Sequence, residues 1–425
     1  MLNIPLQKRS NDLFVSYGHS ERDRVDPIIE WLKRYVGLKV WYDAISGDAS
    51  KRTTTLLSNA IQSSRGAIFF LSSGWVSSTW CSDEHEFALT ELRNNDGFIL
   101  LAVRLDNCDL PPWFKIANVL DFRNFHAQAC GDLLRSLSPN IPSRLDARQD
   151  VYLATPWSRQ TEATRYALKF IAAMGWRLVG DFPDNPYFSD SSDRIASIMK
   201  TSRGVVCVLS LDPSKSPSFT SPWIIEEAYI ALRSKLPYLL LVESEVQVPD
   251  DLVIGSFGET VIRFSPNSDV SSINSSLIEF DEELTRRPFS DTGTYSFLAT
   301  SLLGDHKESD DLISVIEHAS NMTCMQGQGL IGMHVQQAII DRIRRAAFVV
   351  ADVTDDHRNT LIEAGIALGS GTSLHLMCRV PEDGSLKRRF MFEDIEMNWY
   401  TNPAERLAIA YRIAKLFRRQ VYYTR

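Results

Sequence analysis

The sequence predicts three α/β sandwich units in tandem, each a parallel sheet between two layers of helices. Three observations predict it. Apolar strand-like runs alternate with helix-period segments along all 425 residues, the pattern of parallel sheets covered on both faces. The length suits two to four domains at roughly 100–200 residues each. Most directly, similar segments recur three times at a nearly constant interval, as in a chain built from repeated units.

The elements follow in order. The first strand of each unit is read in DLFVSYGHS at 12–20, DVYLATPWS at 150–158 and TYSFLATSL at 294–302. Each is rich in β-branched and aromatic residues, as a buried parallel strand requires. A further strand is read in SRGAIFFLS at 64–72, SRGVVCVLS at 202–210 and AAFVVADVT at 346–354. It follows a helix-period segment in each unit: Leu56–Ser64, Ile195–Ser202 and Val335–Arg345. Next come WCSDEHEFAL at 80–89, WIIEEAYIAL at 223–232 and NTLIEAGIAL at 359–368, each with a glutamate four residues before Ala-Leu. These glutamates, Glu84, Glu227 and Glu363, recur at intervals of 143 and 136 residues. A tryptophan stands four residues before the first two, and Asn359 takes that place in the third. Another buried strand follows at Phe98–Arg104, Pro237–Glu243 and Ser373–Arg379. In the first two units a proline turn comes after it, at Leu110-Pro111-Pro112 and Val248-Pro249. Ser138–Gln149 and Arg286–Gly293 lose periodicity to Pro, Ser and charge and read as linkers. The expected units are 1–145, 146–288 and 289–425.

Composition narrows the function classes. Apolar residues make up 44% and charged residues 23%, ordinary for a globular protein. The net charge of −8 argues against a nucleic-acid binder that works by displacing counterions. The densest basic stretch, Arg342 to Arg345, reads as the solvated face of an amphipathic helix. The six cysteines have irregular spacing and no Cys-x-x-Cys pair, so neither a metal site nor a disulfide framework is expected. No signal peptide is read, and apolar runs such as Phe98–Val103 are far shorter than the ~18 residues of a membrane span. A reducing, cytoplasmic setting and no membrane partner are the expectation. No Ser-His-Asp order, His-Glu-x-x-His or P-loop occurs, which leaves hydrolases of those classes without support.

In parallel α/β sheets, ligands sit outside the carboxyl ends of the strands. The loop after each first strand and the start of each glutamate-bearing helix lie at that edge. Residues 12–137 resemble a TIR domain there. DLFVSYGHSERD matches the family's first strand and loop, KVWYDA at 39–44 its second strand, and ISGDASKR at 45–52 its mobile connecting loop. WCSDE at 80–84 matches the glutamate helix and LPPWF at 110–114 the late turn. The resemblance implies a flavodoxin-like three-layer sandwich, so the expected fold class is three such sandwiches in tandem. It further implies a TIR-type NAD glycohydrolase or cyclase acting as an immune or signalling effector. NAD is then the substrate, no cofactor is needed, and self-association completes the site. The alternative is a non-catalytic TIR signalling module or nucleotide-binding scaffold.

The family's catalytic glutamate falls on Glu84. The chemistry supports it independently. Breaking the ribose–nicotinamide bond passes through an oxocarbenium-like sugar, and a carboxylate beside it stabilises the developing positive charge. Nicotinamide leaves as an already cationic group, so one carboxylate suffices. Trp80, one helical turn before Glu84, is the candidate to stack on the nicotinamide ring. The bland readings are a core tryptophan and a solvated glutamate. Tyr17, His19, Tyr42 and Asp43 are further candidates for substrate contact at the same edge.

The third unit is similar to nucleoside deoxyribosyltransferase-like proteins through ADVTDDHRNTLIEAGIALGSG at 351–371. That resemblance points to Glu363, with Asp352 and Asn359 nearby. The alternative is a structural helix start, with Asn359 as its cap. Gly327-Gln328-Gly329-Leu330-Ile331-Gly332 forms a GxGxxG string, but it follows the unit's second strand rather than its first, so it reads as a ligand loop and not a dinucleotide fingerprint. The second unit keeps Trp223 and Glu227 and is expected to bind a nucleotide without cleaving it. Units two and three are thus expected to sense a nucleotide second messenger.

Overall fold

In the computed structural model, the described residues are 9–42, 54–94, 98–111, 114, 119–137, 150–156, 160–180, 192–211, 220–265, 270–286, 293–301, 306–327, 335–354, 357–382, 384, 392–418 and 420–422. The first unit runs β1 (Asn11–Tyr17), α1 (Arg22–Arg34), β2 (Val40–Trp41), α2 (Thr54–Gln62), β3 (Ser64–Leu71), α3 (Ser73–Val76), α4 (Thr79–Asn94), β4 (Ile99–Arg104), β5 (Val119–Asp121) and α5 (Ala127–Ser136). The second runs β6 (Asp150–Ala154), α6 (Glu162–Ala173), β7 (Arg177–Gly180), α7 (Ser192–Lys200), β8 (Gly204–Leu209), α8 (Pro222–Arg233), β9 (Tyr238–Glu243), α9 (Asp250–Gly255), β10 (Val261–Phe264) and α10 (Val270–Arg286). The third runs β11 (Tyr295–Ala299), α11 (His306–Ser320), β12 (Thr323–Met325), α12 (Val335–Arg345), β13 (Phe348–Asp352), α13 (Arg358–Ser370), β14 (Ser373–Arg379), β15 (Met397–Tyr400) and α14 (Pro403–Leu416), and ends in β16 (Gln420–Tyr422).

Three sheets result, with strand orders β2-β1-β3-β4-β5, β10-β9-β8-β6-β7-β16 and β12-β11-β13-β14-β15. Within each unit this is the doubly wound 2-1-3-4-5 order, the flavodoxin-like arrangement. All pairs are parallel except β16 against β7. Register agrees with the repeats: Phe14, Tyr152 and Phe297 lie opposite Ala67, Val205 and Val349.

The segment read as a helix to Ser64 ends at Gln62, and Ser64 opens β3. Hydroxyls explain the boundary, since Ser63 Oγ and Ser64 Oγ both donate to the Ala60 carbonyl and cap the last turn (2.9 and 2.8 Å).

The cores depart from three separate beads. The middle sheet has its own core on each face. The first and third units instead share one, in which α1 and α5 pack with α11 and α14 between their sheets. Helix α14 is apolar almost all round, burying Ala404, Leu407, Ala408, Ile409, Ala410, Tyr411, Ile413 and Ala414. A helix of that kind needs cover on every side, and a single sheet covers only one. The Trp31 indole N–H crosses the seam to the Ala404 carbonyl at 3.1 Å. Past α14, β16 pairs antiparallel with β7 at the edge of the middle sheet. The third unit is therefore fastened to the first by a helical core and to the second by a strand. No described helix is long and apolar enough to cross a membrane.

Candidate functional site

Helix α4 packs on β1, β3 and β4. It runs back along the sheet after β3, so its first turns stand at the carboxyl edge of the strands. Glu84 is only 7% exposed. It precedes the fully buried Ala88 by one turn, which puts both on the sheet-facing side of the helix. The neighbouring His85 packs against Phe69 and Phe114, with ring centroids 5.6 and 4.8 Å away. Burial there pushes its imidazole down to about 4, so it is neutral at pH 7. Phe69 in turn meets Trp75 edge-on at 5.9 Å. The Trp75 indole donates to Ser16 Oγ at 2.9 Å, and its backbone N–H is capped by Ser72 Oγ at 3.1 Å.

Two loops meet closely at this edge. A Cβ on Gly18 would stand 3.0 Å from the Trp75 nitrogen, and one on Gly74 would stand 2.6 Å from Ser20 Oγ. A side chain at either position would force its neighbour to shift. The loop after β4 joins them. Asp106 is half-buried, and the desolvation opposes its ionisation, yet the Ser73 and Cys108 N–H groups donate to its carboxylate at 2.9 and 2.8 Å and hold it below the ordinary carboxylate range.

The other sequence candidates divide. Tyr17 stacks on His19 at 6.1 Å and on Tyr42 at 5.3 Å, and the Tyr42 hydroxyl donates to Asp26 on α1. Tyr17 and Tyr42 pack with the α1 side of the sheet, whereas Phe14, Phe69, Trp75 and Ala88 belong to the α4 side. The aromatic cluster and Glu84 thus share an edge but sit over opposite faces. Strand alternation carries that information: Leu13, Val15 and Tyr17 have one parity, Phe14 and Ser16 the other. Ser16, Trp75, His85 and Phe114, which pack together on the α4 side of this edge, are not among the sequence candidates. The polar Ser16 inside an apolar strand was the available signal. The Trp80 side chain, Asp43 and the loop at 45–52 lie outside the described residues.

In the second unit, Trp223 is 63% exposed on the first turn of α8. Glu227, one turn on, faces the sheet and accepts the Tyr152 hydroxyl at 2.7 Å. Phenylalanine replaces this tyrosine at the matching Phe14 and Phe297, so neither Glu84 nor Glu363 meets a phenol from that register position.

In the third unit, burial pushes Glu363 up to about 7. Among the described residues no hydrogen bond or ion pair reaches it. Gly327, the first glycine of the GxGxxG string, lies against it: a Cβ there would stand 2.9 Å from Glu363 Oε1. The rest of that string falls outside the described residues. Asp352 ends β13 with both oxygens engaged. Oδ1 accepts Thr354 Oγ1 at 2.5 Å, and Oδ2 accepts Tyr400 at 2.8 Å and Arg406 Nε at 2.6 Å. Among the described residues these groups, with the Thr354 N–H at 3.2 Å on Oδ1, are the donors to that carboxylate. Asn359 is exposed in the first turn of α13. The helix cap is His357, without a side-chain bond. Among the described residues no group of three or more His, Cys, Asp or Glu is placed to hold a metal.

Comparison with known proteins bears on the first unit. Residues 13–134 match the family model for the TIR domain. No curated protein matches the chain. Among solved structures, the TIR domain of a Toll-related receptor from the lower metazoan Hydra magnipapillata is similar at 16% identity and a TM-score of 0.26, over 31% of this chain and 100% of that one. The dinucleotide-forming acetyl-coenzyme A synthetase 1 of Ca. Korarchaeum cryptofilum, solved with phosphate and ADP, is similar at 8% identity and a TM-score of 0.20, over 95% of each chain. Residues 13–134 are therefore a TIR domain, the first of three α/β units in this chain.

Proposed function

We propose that the TIR unit cleaves the nicotinamide–ribose bond of NAD, with Glu84 as its catalytic carboxylate, and that units two and three bind nucleotides and control it. The observation that carries the reading is the burial of Glu84 on the sheet-facing side of α4, at the edge where parallel α/β sheets take ligands. A solvated helix charge would stand on the opposite face. In low-dielectric surroundings a carboxylate stabilises an oxocarbenium-like ribose far more than it would in water. The chemistry ends when water, or an adenine nitrogen in a cyclisation, takes the anomeric carbon that nicotinamide leaves. Trp80 is the stacking partner of nicotinamide in this reading. Self-association brings the 45–52 loop of one copy to the glutamate helix of another, which orients the substrate and excludes water. The output is a signalling or immune one.

The non-catalytic reading suits the second unit. Its Glu227 is tied to Tyr152, so a sugar would have to displace a hydrogen bond that the first and third units do not make at that position. Trp223, exposed beside it, is a surface on which a nucleotide base can stack. Glu363, against Gly327, is the corresponding group in the third unit. Incubating the full chain with NAD and separating the products tests the proposal. Free nicotinamide with ADP-ribose or its cyclic form is expected, and unchanged NAD at every protein concentration overturns it.

A further inference from the structure

A cleft of about 260 Å³ lies on the seam between the first and third units, away from the edge that holds Glu84. Arg34 and Tyr35, at the end of α1, form one wall; Asn398 and Trp399 of β15, with Glu405 and Arg412 of α14, form the other. Its polar groups are organised before any ligand arrives. The Asn398 amide donates to the Leu376 carbonyl at 3.0 Å and its oxygen accepts Arg412 Nη2 at 2.6 Å. That pins the guanidinium while leaving its other N–H groups to bond elsewhere. The Arg34 guanidinium lies over the Tyr35 ring at 5.5 Å. Glu405 offsets one of the two arginine charges and leaves the other. Its carboxylate accepts the Thr401 N–H and hydroxyl at 2.6 and 2.8 Å and the Tyr35 hydroxyl. Among the described residues neither arginine is in an ion pair. The cleft keeps a positive excess in a chain whose net charge is −8.

Two fork-shaped cations beside two aromatic rings suit a phosphate joined to a flat ring. The volume sets the size. Pockets for drug-sized ligands span ~300–1,000 Å³, so a cleft of about 260 Å³ suits a ligand no larger than a mononucleotide. We propose that the seam binds a nucleoside monophosphate, with the phosphate on Arg34 and Arg412 and the base against Trp399. The ligand bridges α1 of the TIR unit to α14 and β15 of the third unit, beside the Trp31–Ala404 bond. Its effect on activity rests on the NAD-cleaving reading of the TIR unit; its binding does not.

Titration calorimetry of the full chain with AMP, adenosine and inorganic phosphate tests the site. AMP is expected to bind at least about tenfold more tightly than either fragment and to quench tryptophan fluorescence, a quench that Trp399→Phe removes. Arg34→Ala and Arg412→Ala are each expected to weaken AMP about tenfold or more. Arg34 is exposed, so its substitution keeps the test valid if Arg412→Ala misfolds. Glu84→Gln is expected to bind AMP as the wild type does. Wild-type protein that binds AMP through these arginines but releases no nicotinamide defeats the proposed activity and leaves this site standing. No AMP binding at millimolar concentration, binding unchanged in both arginine variants, or phosphate binding as tightly as AMP overturns the inference.

Discussion

Glu363→Gln is expected to stabilise the protein in a pH-dependent way. In the folded chain burial pushes Glu363 up to about 7, against 4.5 for an ordinary glutamate. The fold therefore holds a proton that the unfolded chain releases, and stability falls as pH rises from about 4.5 and levels off above 7. Each pKa unit corresponds to about 1.4 kcal/mol, so the ionised carboxylate costs up to about 3 kcal/mol at pH 8. Glutamine has nearly the shape of the protonated acid and carries no charge. The two proteins should match near pH 4.5 and diverge above it, the variant becoming the more stable. At roughly 2–4 °C per kcal/mol, the transition in which the third unit melts with the core it shares should rise by about 6–12 °C at pH 8. Calorimetric scans of both proteins from pH 4.5 to 8 read this directly. A difference that does not change with pH, or a variant less stable at pH 8, would refute the reasoning.

Other consequences are simpler to score. Tyr152→Phe copies the residue of the other two units and strips Glu227 of a donor, so urea titration should show a loss of about 1.5–3 kcal/mol, as for bonds to charged groups; no loss would mean that the phenol contributes nothing. Trp31→Phe keeps an aromatic in the seam but removes its bond to Ala404, which should cost about 1 kcal/mol and speed hydrogen exchange in the first turn of α14. Unchanged exchange there would place the seam's stability elsewhere. Nicotinamide release per mole of protein should rise with protein concentration, and full activity in a strictly monomeric sample, judged by light scattering, would rule out a site shared between copies.

Much of the fold was legible because period and repetition are local. The strands read at Phe98–Arg104, Pro237–Glu243 and Ser373–Arg379 appear at Ile99–Arg104, Tyr238–Glu243 and Ser373–Arg379. The helix read at Val335–Arg345 has those bounds. The sheet-facing placement of Glu84 and Glu227 follows from their spacing to Ala88 and Ala231, both fully buried. Long-range features were harder. The shared core of the first and third units depends on α14, whose apolar girth was visible in PAERLAIAYRIAKL, but its partners α1 and α5 belong to the first unit, with the whole second unit in between. Strand β16 is three residues long, too short for any period to reveal, and it pairs in a unit other than the one it follows. Tyr17 was correctly placed at the edge, but its face depends on the parity of β1 relative to α4, which the motif does not encode. Tyr400 and Arg406, which converge on Asp352, lie 48 and 54 residues beyond it, out of reach of any local pattern.

The most direct measurement compares nicotinamide release from NAD by the full chain and by Glu84→Gln at equal concentration, with melting curves of both. Loss of one electrostatic stabiliser costs ~10²–10³ in rate. The account predicts active wild-type protein and a variant at least about 100-fold slower that melts as a folded protein. A folded Glu84→Gln protein with near wild-type turnover would contradict it.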